Sequence, residues 1–506
     1  MINAGEWLYK HSRRRPRATA VVVDEKRLSY AELNSRVNCL AHALSGLGIK
    51  AGDRVAALMF NSNEYVEVTL ALAKLGAILV PLNYRLAPPE LEYILNDSGS
   101  KVLIYASELA FLHDALRQNV GVEKYVCVGG EARQPMEDYE ELLARASESE
   151  PRLVPSGFDD PLTILYTSGT TGRPKGAILT HGNVLFASLN VIHHAGHAEG
   201  SILIAVPMFH VAGLTVQALP TIYRGQTIVF QRYFDPEHAL QLIERERIRA
   251  SMIVPAMLLF MSQVSGFNEC DLSSLDSLFI GGAPCPAPLL RTYMDRNVPI
   301  RQGFGMTENC GTGIILDPED AERKFGSCGI PMFHCNARVW DEGGNDARPG
   351  EVGELMLQGP VVTKGYWNMP EQTEASFTNG WFHTGDLARI DDEGYFYIVE
   401  RKKDMLITGG ENVYPAEVEE VILAHPKVAE VGVIGVPDPK WGESVRAIVV
   451  PLPGQTLTVE EIQEFCKGKL GRYKIPKSVI FADELPRNPA GKILKRILRE
   501  QHGGTT

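Results

Sequence analysis

The sequence lacks several features that would assign it to a specialised class of protein. No apolar run approaches the ~20 residues that an α-helix needs to cross a bilayer, and the mean hydropathy is −0.08. Internal repeats and low-complexity segments are also absent. These absences disfavour membrane-spanning, solenoid and disordered proteins. With 44% hydrophobic residues, the chain is expected to be soluble and globular.

An excess of positive charge is missing as well. Lysine and arginine number 50 against 62 aspartates and glutamates, for a net charge of −12. A general nucleic-acid-binding protein has a basic surface, so no nucleic acid is expected as a partner. The local exception is the basic run Arg13, Arg14, Arg15 and Arg17. This run predicts either a solvated face or a weak peripheral contact with a membrane.

Paired cysteines are the third absence. The eight cysteines are scattered, and none forms a Cys-x-x-Cys pair, so neither a zinc site nor a redox motif is supported. No signal peptide is recognisable. We therefore expect reduced, mostly buried thiols in a cytoplasmic protein.

The chain of 506 residues is too long for one ordinary core, so at least two domains are expected. Residues 20–23, 55–59, 77–80 and 102–105 are apolar in the manner of strands, and Leu33, Val37, Leu40 and Leu44 recur at helical spacing. A second such series runs from residue 202 to about 315. The alternation predicts a layered α/β fold. Between the two series, residues 147–160 are predicted to be a linker.

The sequence pattern changes after residue 315. Glycines punctuate short strands from residue 350 to 400, which indicates a small β-rich subdomain. A last unit follows, with helices at 417–424 and 459–470 and strands at 431–436 and 447–450. We therefore predict an α/β N-terminal domain at residues 1–402, made of layered subdomains plus the β-rich one. A small α+β C-terminal domain at residues 403–506 follows it.

A polar turn joins two apolar strands between residues 162 and 179. From Tyr166 to Gly176 it holds four serine or threonine hydroxyls and three glycines. Backbone N–H groups there can point at one space, which suits a polyphosphate, and Lys175 adds a positive charge. No Gly-Lys-Ser/Thr follows at Walker A spacing, which excludes a P-loop phosphotransferase. The alternative is a glycine-rich surface hairpin.

Three other segments carry candidate chemistry. In Gln-Gly-Phe-Gly-Met-Thr-Glu, Phe304 can lie against a purine, and Glu308 suits Mg²⁺, which prefers oxygen ligands. Glycines at the strand end Ile-Gly-Gly-Ala-Pro, residues 280–284, permit a ligand to approach the backbone closely. Asp386, in Trp-Phe-His-Thr-Gly-Asp, can accept hydrogen bonds from two vicinal hydroxyls.

Taken together, the motifs resemble the signatures of the AMP-forming, adenylate-forming superfamily. That superfamily includes acyl-CoA synthetases, luciferases and the adenylation domains of peptide synthetases. The resemblance covers nearly the whole chain. Pro-Met-Phe-His-Val-Ala, Gly-Gly-Ala-Pro and Gly-Gly-Glu-Asn-Val-Tyr-Pro-Ala-Glu look most like bacterial fatty acid–CoA ligases. The resemblance implies that the protein uses ATP and Mg²⁺ to activate a fatty acid as acyl-AMP. The acyl group would then be transferred to coenzyme A with the help of a mobile C-terminal domain.

The resemblance also implies roles for individual residues. ATP or AMP would be bound by Thr167, Ser168, Gly169, Thr170, Thr171, Gly172, Lys175, Gly282, Ala283, Pro284, Gln302, Gly303, Phe304, Gly305, Met306, Thr307, Asp386, Arg401 and Lys492. Catalysis would rest on Lys492, Glu308, His210 and Thr167, of which Thr167 and Glu308 would hold the metal. A flexible lysine ammonium suits Lys492, because it can follow charge that develops on two oxygens.

The acyl and CoA sites are implied in the same way. Their residues would be His210, Val211, Gly281, Gly282, Gly409, Gly410, Glu411, Trp441 and Arg85, with Lys403 as the hinge. No aspartate that could hold a substrate amine lies near His210 in the sequence, and no carrier domain is expected. Activation of an amino acid is therefore disfavoured.

Several alternatives stay open. The acid could be aromatic rather than a medium- to long-chain fatty acid. A ligase that stops at acyl-AMP is opposed by the intact Gly409-Gly410 segment. A silent acyl-adenylate-binding protein is opposed by Glu308, Asp386 and Lys492 together. The assembly is expected to be a monomer or a homodimer.

Overall fold

The computed structural model describes residues 3–130, 136–167, 174–194, 200–283, 285–402, 404–408, 411–438, 441–467, 469–487 and 493–504, with only the backbone at 411–412. The chain divides into two compact units. The first contains residues 1–337 and 357–382, and the second contains residues 338–356 and 383–506. The domain boundary predicted at residue 402 stays a prediction. The mixed α/β class expected from the sequence is confirmed.

The first 180 residues alternate strands and helices. The strands are β1 (Thr19–Val23), β2 (Lys26–Ser29), β3 (Arg54–Leu58), β4 (Ile78–Pro81), β5 (Val102–Ala106), β6 (Lys124–Val128), β7 (Glu137–Asp138), β8 (Pro161–Thr167) and β9 (Lys175–Thr180). The helices are α1 (Ala4–Arg14), α2 (Tyr30–Gly46), α3 (Asn63–Leu75), α4 (Pro88–Ser98), α5 (Ala110–Leu116) and α6 (Tyr139–Arg145). The predicted strands and the helix after residue 30 are confirmed to within about one residue.

A seven-stranded sheet has the order β7-β6-β5-β3-β4-β8-β9. Its strands run parallel, except that β8 and β9 form an antiparallel pair. Interior strands such as β4 and β5 are buried along their whole length. Helices cover both faces of such a parallel sheet, which explains the continuous apolar runs in the sequence.

The rest of the first unit repeats this architecture. Its strands are β10 (Ser201–Ile204), β11 (Thr227–Phe230), β12 (Ile248–Ile253), β13 (Ser277–Ile280), β14 (Ile300–Phe304), β15 (Ile314–Ile315) and β16 (Ile330–Pro331). Its helices are α7 (His181–His194), α8 (Val211–Gly213), α9 (Leu219–Arg224), α10 (Pro236–Arg245), α11 (Pro255–Ser262) and α12 (Ala287–Met294), with one π-helix at Leu214–Ala218.

These strands join β1 and β2 in a nine-stranded sheet. The order is β16-β15-β14-β13-β12-β10-β11-β1-β2, and the central run from β14 to β1 is parallel. Its carboxyl ends therefore meet at one edge, which is where ligands bind in open α/β sheets. The loops after β10, β13 and β14 carry three of the predicted motifs to that edge.

The stretch predicted to be a linker, residues 147–160, belongs to the first unit and packs against it internally. Glu150 Oε1 lies 2.7 Å from the ammonium of Lys74, a residue with a fully buried side chain. Asn3 Nδ2 donates to the carbonyl of Val154 at 3.2 Å. A buried ammonium needs an opposite charge, and the stretch supplies it.

The remaining elements form two smaller sheets. Their strands are β17 (Asn336–Trp340), β18 (Gly353–Gln358), β19 (Phe377–Thr378), β20 (Trp381–Ile390), β21 (Phe396–Arg401), β22 (Leu406–Thr408), β23 (Glu411–Val413), β24 (Val428–Asp438), β25 (Gly442–Pro451) and β26 (Ser478–Phe481). The helices are α13 (Pro370–Ala375), α14 (Pro415–Leu423), α15 (Val459–Cys466) and α16 (Lys495–His502). The short strands predicted between residues 350 and 400 are present.

The C-terminal sheet is built on the long antiparallel pair β24 and β25, with β26 parallel to β25. Separate apolar clusters, around Val433 and around Ile434, pack on its two sides. The predicted helix at 459–470 is too long, since α15 ends at Cys466 and the backbone of Lys467 is extended.

Two expectations about the whole chain can be compared with the described residues. All eight cysteines are free and buried, as expected. Among the described helices, none combines the length and the apolar character that crossing a membrane requires.

Candidate active site

The hairpin β8–β9 frames the predicted phosphate turn. Thr167 and Lys175 are paired across the two strands, so the strand–turn–strand prediction is confirmed at both ends. The turn residues themselves, Ser168, Gly169, Thr170, Thr171 and Gly172, lie outside the described residues. Their role in phosphate binding stays a prediction.

The segment from Thr363 to Trp367 runs beside β9. The N–H of Ile178 donates to the carbonyl of Gly365 at 3.0 Å, and the N–H of Trp367 donates to that of Gly176 at 2.8 Å. This pairing places Tyr366 next to Lys175, whose Nζ lies 5.2 Å from the centre of the tyrosine ring. The Tyr366 hydroxyl in turn donates to Glu308 Oε1 at 2.8 Å.

Tyr366 thus connects the phosphate hairpin to the predicted metal ligand. Glu308 is only 7% exposed, and its carbonyl accepts a hydrogen bond from the N–H of Thr363 at 2.6 Å. Burial and the neighbouring charge of Glu308 raise the pKa of Tyr366 well above its usual range, so the hydroxyl stays protonated and donates. Sequence reasoning missed this residue, although the glycine-aromatic-aromatic run at 365–367 is a signal.

The glycine-rich motifs meet at the ends of β13 and β14. Ile280 pairs with Gln302, and a Cβ on Gly281 would lie 3.4 Å from the carbonyl oxygen of Gly303. The next loop is tighter, because a Cβ on Gly305 would lie 2.3 Å from the carbonyl oxygen of Gly311. No side chain fits there.

Asn309 fixes the loop between β14 and Glu308. Its Oδ1 accepts hydrogen bonds from the N–H of Met306 at 2.9 Å and from that of Gly311 at 3.2 Å. Thr307 opens a 3₁₀ turn that continues through Glu308. Phe304 is partly buried at the strand end, and its contact with a purine stays a prediction. Gly282 and Ala283 lie on the neighbouring loop, and Pro284 lies outside the described residues.

His210 follows β10 and stands at the start of the helical segment α8, the π-helix and α9. Asn61 holds the loop in front of it: Asn61 Oδ1 accepts from the N–H of Met208 at 2.8 Å, and Nδ2 donates to the carbonyl of Val206 at 3.0 Å. Val211 is the first residue of α8. A π-helix follows α8, and π-helical turns within helices are frequent at functional sites.

The environment of His210 keeps its ring neutral. Among the described residues, Nε2 has no hydrogen-bond partner although it is buried. Burial lowers the pKa of His210 to about 4, and the positive charge of Arg85 adds to the effect. The rings of Phe209 and His210 are 4.6 Å apart, and Tyr84 meets Phe209 edge-on at 5.2 Å. Arg85, predicted for the CoA site, is thus near His210.

A cavity of about 40 Å³ lies between α7, the helical segment after His210 and the nine-stranded sheet. Its walls are mostly apolar, with Val191, Ile192, Ile202, Val216, Pro220, Ala250, Met252 and Phe279 among them. The polar side chain of Gln217 is already hydrogen-bonded within the protein, since its Oε1 accepts from the N–H of Met252 at 2.8 Å. Of the described residues that line the cavity, Arg224 alone carries a charge.

The predicted ribose-binding pair lies in the second unit. Asp386 on β20 and Arg401 on β21 are partners in the strand register, and Arg401 Nε lies 2.6 Å from Asp386 Oδ1. Thr384 Oγ1 accepts from the N–H of Asp386 at 3.0 Å and donates to the carbonyl of Leu355 at 2.7 Å. The carboxylate, 4% exposed, is therefore held in a fixed position.

Other predicted residues of the second unit are described only in part. Trp441 is 42% exposed, and the Lys477 ammonium lies 5.0 Å from its ring centre. Glu411 begins β23. Lys403, Gly409, Gly410 and Lys492 lie outside the described residues, so the hinge, the tunnel segment and the catalytic lysine stay predictions.

The described residues fit a magnesium ion that depends on few protein ligands. Within the described ranges, no group of three or more His, Cys, Asp or Glu side chains could hold a metal ion. Glu308 and Thr167 offer a carboxylate and a hydroxyl, which are hard oxygen donors. Mg²⁺ commonly uses one or two carboxylates, with phosphate oxygens and water as its other ligands.

Comparisons with known proteins agree with this arrangement. The profile described as "AMP-binding enzyme" matches residues 8–367, and "AMP-binding enzyme C-terminal domain" matches residues 417–492. The long-chain-fatty-acid–CoA ligase FadD13 of Mycobacterium tuberculosis is 44% identical over 100% of this chain and 99% of its own. Feruloyl-CoA synthase of Amycolatopsis sp. is 42% identical over 99% of both chains.

A solved structure gives the same result. O-succinylbenzoate coenzyme A synthetase of Bacillus subtilis, in complex with ATP and magnesium ion, matches with a TM-score of 0.88 at 34% identity. The match covers 97% of this chain and 99% of that one. The family resemblance proposed from the motifs is therefore confirmed, and the chain belongs to the AMP-binding enzyme family as an adenylate-forming CoA ligase.

Proposed function

We propose that this ligase activates medium- to long-chain fatty acids with ATP and transfers them to coenzyme A. The observation that carries the proposal is the apolar cavity of about 40 Å³ along the helical segment that begins at His210. Apolar walls favour an alkyl chain, since each buried methylene contributes about 0.8 kcal/mol. The FadD13 relative, named for long-chain fatty acids, supports the same class.

The reaction has two displacements. In the first, a carboxylate oxygen of the acid attacks the α-phosphorus of ATP, and the bond to the β-phosphate oxygen breaks to release pyrophosphate. In the second, the thiol sulfur of coenzyme A attacks the acyl carbonyl carbon, the bond from this carbon to the phosphate oxygen breaks, and AMP and the thiol proton are released. The protein contributes positioning and electrostatic stabilisation to both steps.

Residues of the first unit would serve the first displacement. Glu308, held by Tyr366, would bind Mg²⁺ together with Thr167, and the ion would neutralise the phosphate charge. Lys175 and the backbone of the phosphate turn would bind the phosphate oxygens. His210, neutral because it is buried, would lie near the carboxylate of the acid. In the second unit, Asp386 and Arg401 would bind the ribose.

An acid with a polar distal end is the second candidate. Arg224 lines the cavity and brings a positive charge to its wall. A guanidinium pairs well with a carboxylate or another oxygen acceptor. The feruloyl and o-succinylbenzoate relatives carry names of aromatic acids with such groups.

A substrate panel distinguishes the two. Pyrophosphate release should be measured with unbranched acids of increasing length and with ferulate, indoleacetate and 2-succinylbenzoate. For a fatty acid ligase, kcat/KM should rise with length, by up to roughly fourfold per methylene. A flat alkyl series, or a clear preference for an aromatic acid that is lost in Arg224→Met, would favour the second candidate.

A cavity-filling variant tests whether the chain occupies this cavity. Ala250→Leu adds volume to its wall, so the preferred acid should become shorter. Ala239→Leu is the matched control, because Ala239 lines a separate cavity of about 10 Å³ beside α10. Overpacking destabilises either protein by about 1–3 kcal/mol. Only Ala250→Leu should change the chain-length preference.

A further inference from the structure

A buried cluster of charges surrounds Lys495, the first residue of α16, within the second unit. Its Nζ lies 3.0 Å from Glu400 Oε2 and 3.1 Å from Glu419 Oε1. The Lys495 side chain is 12% exposed. Burial would lower the pKa of Lys495, but the two carboxylates outweigh it, and the pKa is raised. The ammonium is therefore charged and held by both partners.

The partners of Lys495 differ in their position along the chain. Glu400 precedes Lys403, whereas Glu419 and Lys495 follow it. Glu400 Oε2 also accepts from the N–H of Ala416 at 2.9 Å. The contacts of Glu400 therefore span residue 403, where the hinge is predicted.

A neighbouring ion pair does not span it. Arg499 NH1, one helical turn after Lys495, lies 2.8 Å from Asp404 Oδ1. Both Asp404 and Arg499 follow residue 403, so a rotation about that residue would leave this pair intact. Around the start of α16, such a rotation would break the Glu400–Lys495 pair and preserve the Asp404–Arg499 pair.

The spanning contact connects two parts of the proposed machinery. Lys495 follows the predicted catalytic residue Lys492 by three positions, and three residues of chain span at most about 10 Å. Glu400 is followed by Arg401, which pairs with Asp386 at 2.6 Å. Contact between Glu400 and Lys495 therefore restricts how far Lys492 can be from the strand that carries the ribose-binding pair.

We propose that Glu400 and Lys495 are a positioning pair for the first displacement: their contact fixes the start of α16 beside β21 while acyl-AMP forms, and it opens when the C-terminal part turns about Lys403 for transfer to coenzyme A. This inference rests on the proposed function. Neither residue touches the reacting atoms. Both act through the position of Lys492.

Glu400→Gln is the test. Glutamine keeps an oxygen that can accept from the N–H of Ala416, and Lys495 keeps Glu419 as its partner, so the fold is expected to persist. Single-turnover formation of acyl-AMP should fall by roughly 10- to 150-fold, the range that corresponds to losing a hydrogen bond between charged groups. Transfer from synthetic acyl-AMP to coenzyme A should proceed at or above the rate of the unchanged protein, which shows that the protein is folded.

Arg499→Gln is the matched control, because it removes a charge pair that does not span residue 403. In this variant, the ratio of the rate of acyl-AMP formation to the rate of transfer to coenzyme A should equal that of the unchanged protein. The inference is overturned if Glu400→Gln slows both half-reactions by the same factor, or slows neither. It is also overturned if Arg499→Gln changes the ratio as much as Glu400→Gln does. If the unchanged protein forms no acyl-AMP from any acid, the proposed function fails instead.

Discussion

Tyr366 donates a hydrogen bond of 2.8 Å to Glu308 across 58 residues of chain, and its ring lies 5.2 Å from the ammonium of Lys175. The tyrosine therefore contacts both the proposed metal ligand and the proposed phosphate ligand. A carboxylate that must bind Mg²⁺ in one orientation benefits from a neighbour that fixes its rotamer. We expect Tyr366 to have this role in the first unit.

Tyr366→Phe should weaken the binding of Mg²⁺ at Glu308. Loss of a hydrogen bond to a charged group amounts to about 1.5–3 kcal/mol, so the Mg²⁺ concentration needed for half-maximal acyl-AMP formation should rise by tenfold or more. The affinity for ATP, measured by calorimetry, should fall when Mg²⁺ is present and change little when it is absent. Tyr139→Phe is the control, because the Tyr139 hydroxyl donates to Glu67 at 2.7 Å away from the motifs. An unchanged magnesium requirement in Tyr366→Phe would contradict the role.

His210 should act as a neutral residue throughout the physiological range. Burial, with Arg85 nearby, lowers its pKa to about 4. Above that value the folded protein carries an uncharged ring. His210→Ala should therefore lower kcat/KM for the acid by a factor that is the same at pH 6 and at pH 8.

The same shift predicts a stability effect with a definite sign. Between the ordinary pKa of histidine, near 6.5, and about 4, the unfolded chain binds the proton and the folded protein does not. Stability is therefore lost as the pH falls through this window. Urea titrations of the His210→Gln variant should show a smaller loss than the unchanged protein. The activity prediction has a separate contrary outcome: if the loss of kcat/KM in His210→Ala grows steeply below pH 6.5, the protonated imidazole of His210 takes part in the reaction.

Lys492 should serve only one half-reaction. Lys492→Ala removes a single electrostatic stabiliser, so acyl-AMP formation should fall by about 10²- to 10³-fold. The same protein should still transfer synthetic acyl-AMP to coenzyme A at near its normal rate. Lys403→Pro should behave in the opposite way, because proline fixes φ at the predicted hinge. Equal slowing of both steps in Lys492→Ala would mean that one arrangement of the chain serves both.

Local features of the site could be predicted from the sequence. The hairpin around residues 168–173, the glycines at the ends of β13 and β14, and the position of His210 after β10 all follow from short motifs and strand ends. Such features are encoded by neighbouring residues, so a window of sequence contains the whole signal. The resemblance assigned Asp386 and Arg401 to the same ribose, but their ion pair was not predicted.

Contacts between distant residues could not be predicted in this way. Asn61 reaches Met208 across 147 residues, and nothing around Asn61 in the sequence marks it as the support of the His210 loop. Lys74 has the character of an exposed lysine, yet its ammonium is buried because Asn34, Asn38 and Glu150 surround it. Tertiary packing decides such positions, and no local pattern records it.

The docked stretch at residues 147–160 gives a prediction about stability. Glu150→Gln leaves the buried ammonium of Lys74 without its carboxylate at 2.7 Å, and the free energy of unfolding should fall by about 1–3 kcal/mol. Glu148→Gln is the matched control, because Glu148 is exposed and its carbonyl is the group that accepts from Asn38. Urea unfolding of the two variants measures the difference. Equal stabilities would show that the stretch is not held by its charge.

Gly305→Ala should damage the nucleotide site while a comparable change elsewhere does not. The added Cβ would lie 2.3 Å from the carbonyl oxygen and 2.4 Å from the carbonyl carbon of Gly311. Both are backbone atoms of the loop between β14 and β15, so one side of this loop has to move, and Phe304 and Thr307 move with it. Overpacking of this kind destabilises a protein by about 1–3 kcal/mol, and ATP binding measured by calorimetry should weaken further than stability alone explains. Gly46→Ala is the control, since a Cβ there meets nothing within 4 Å. If Gly305→Ala binds ATP as tightly as Gly46→Ala does, the close approach of Gly305 and Gly311 is not needed for the nucleotide.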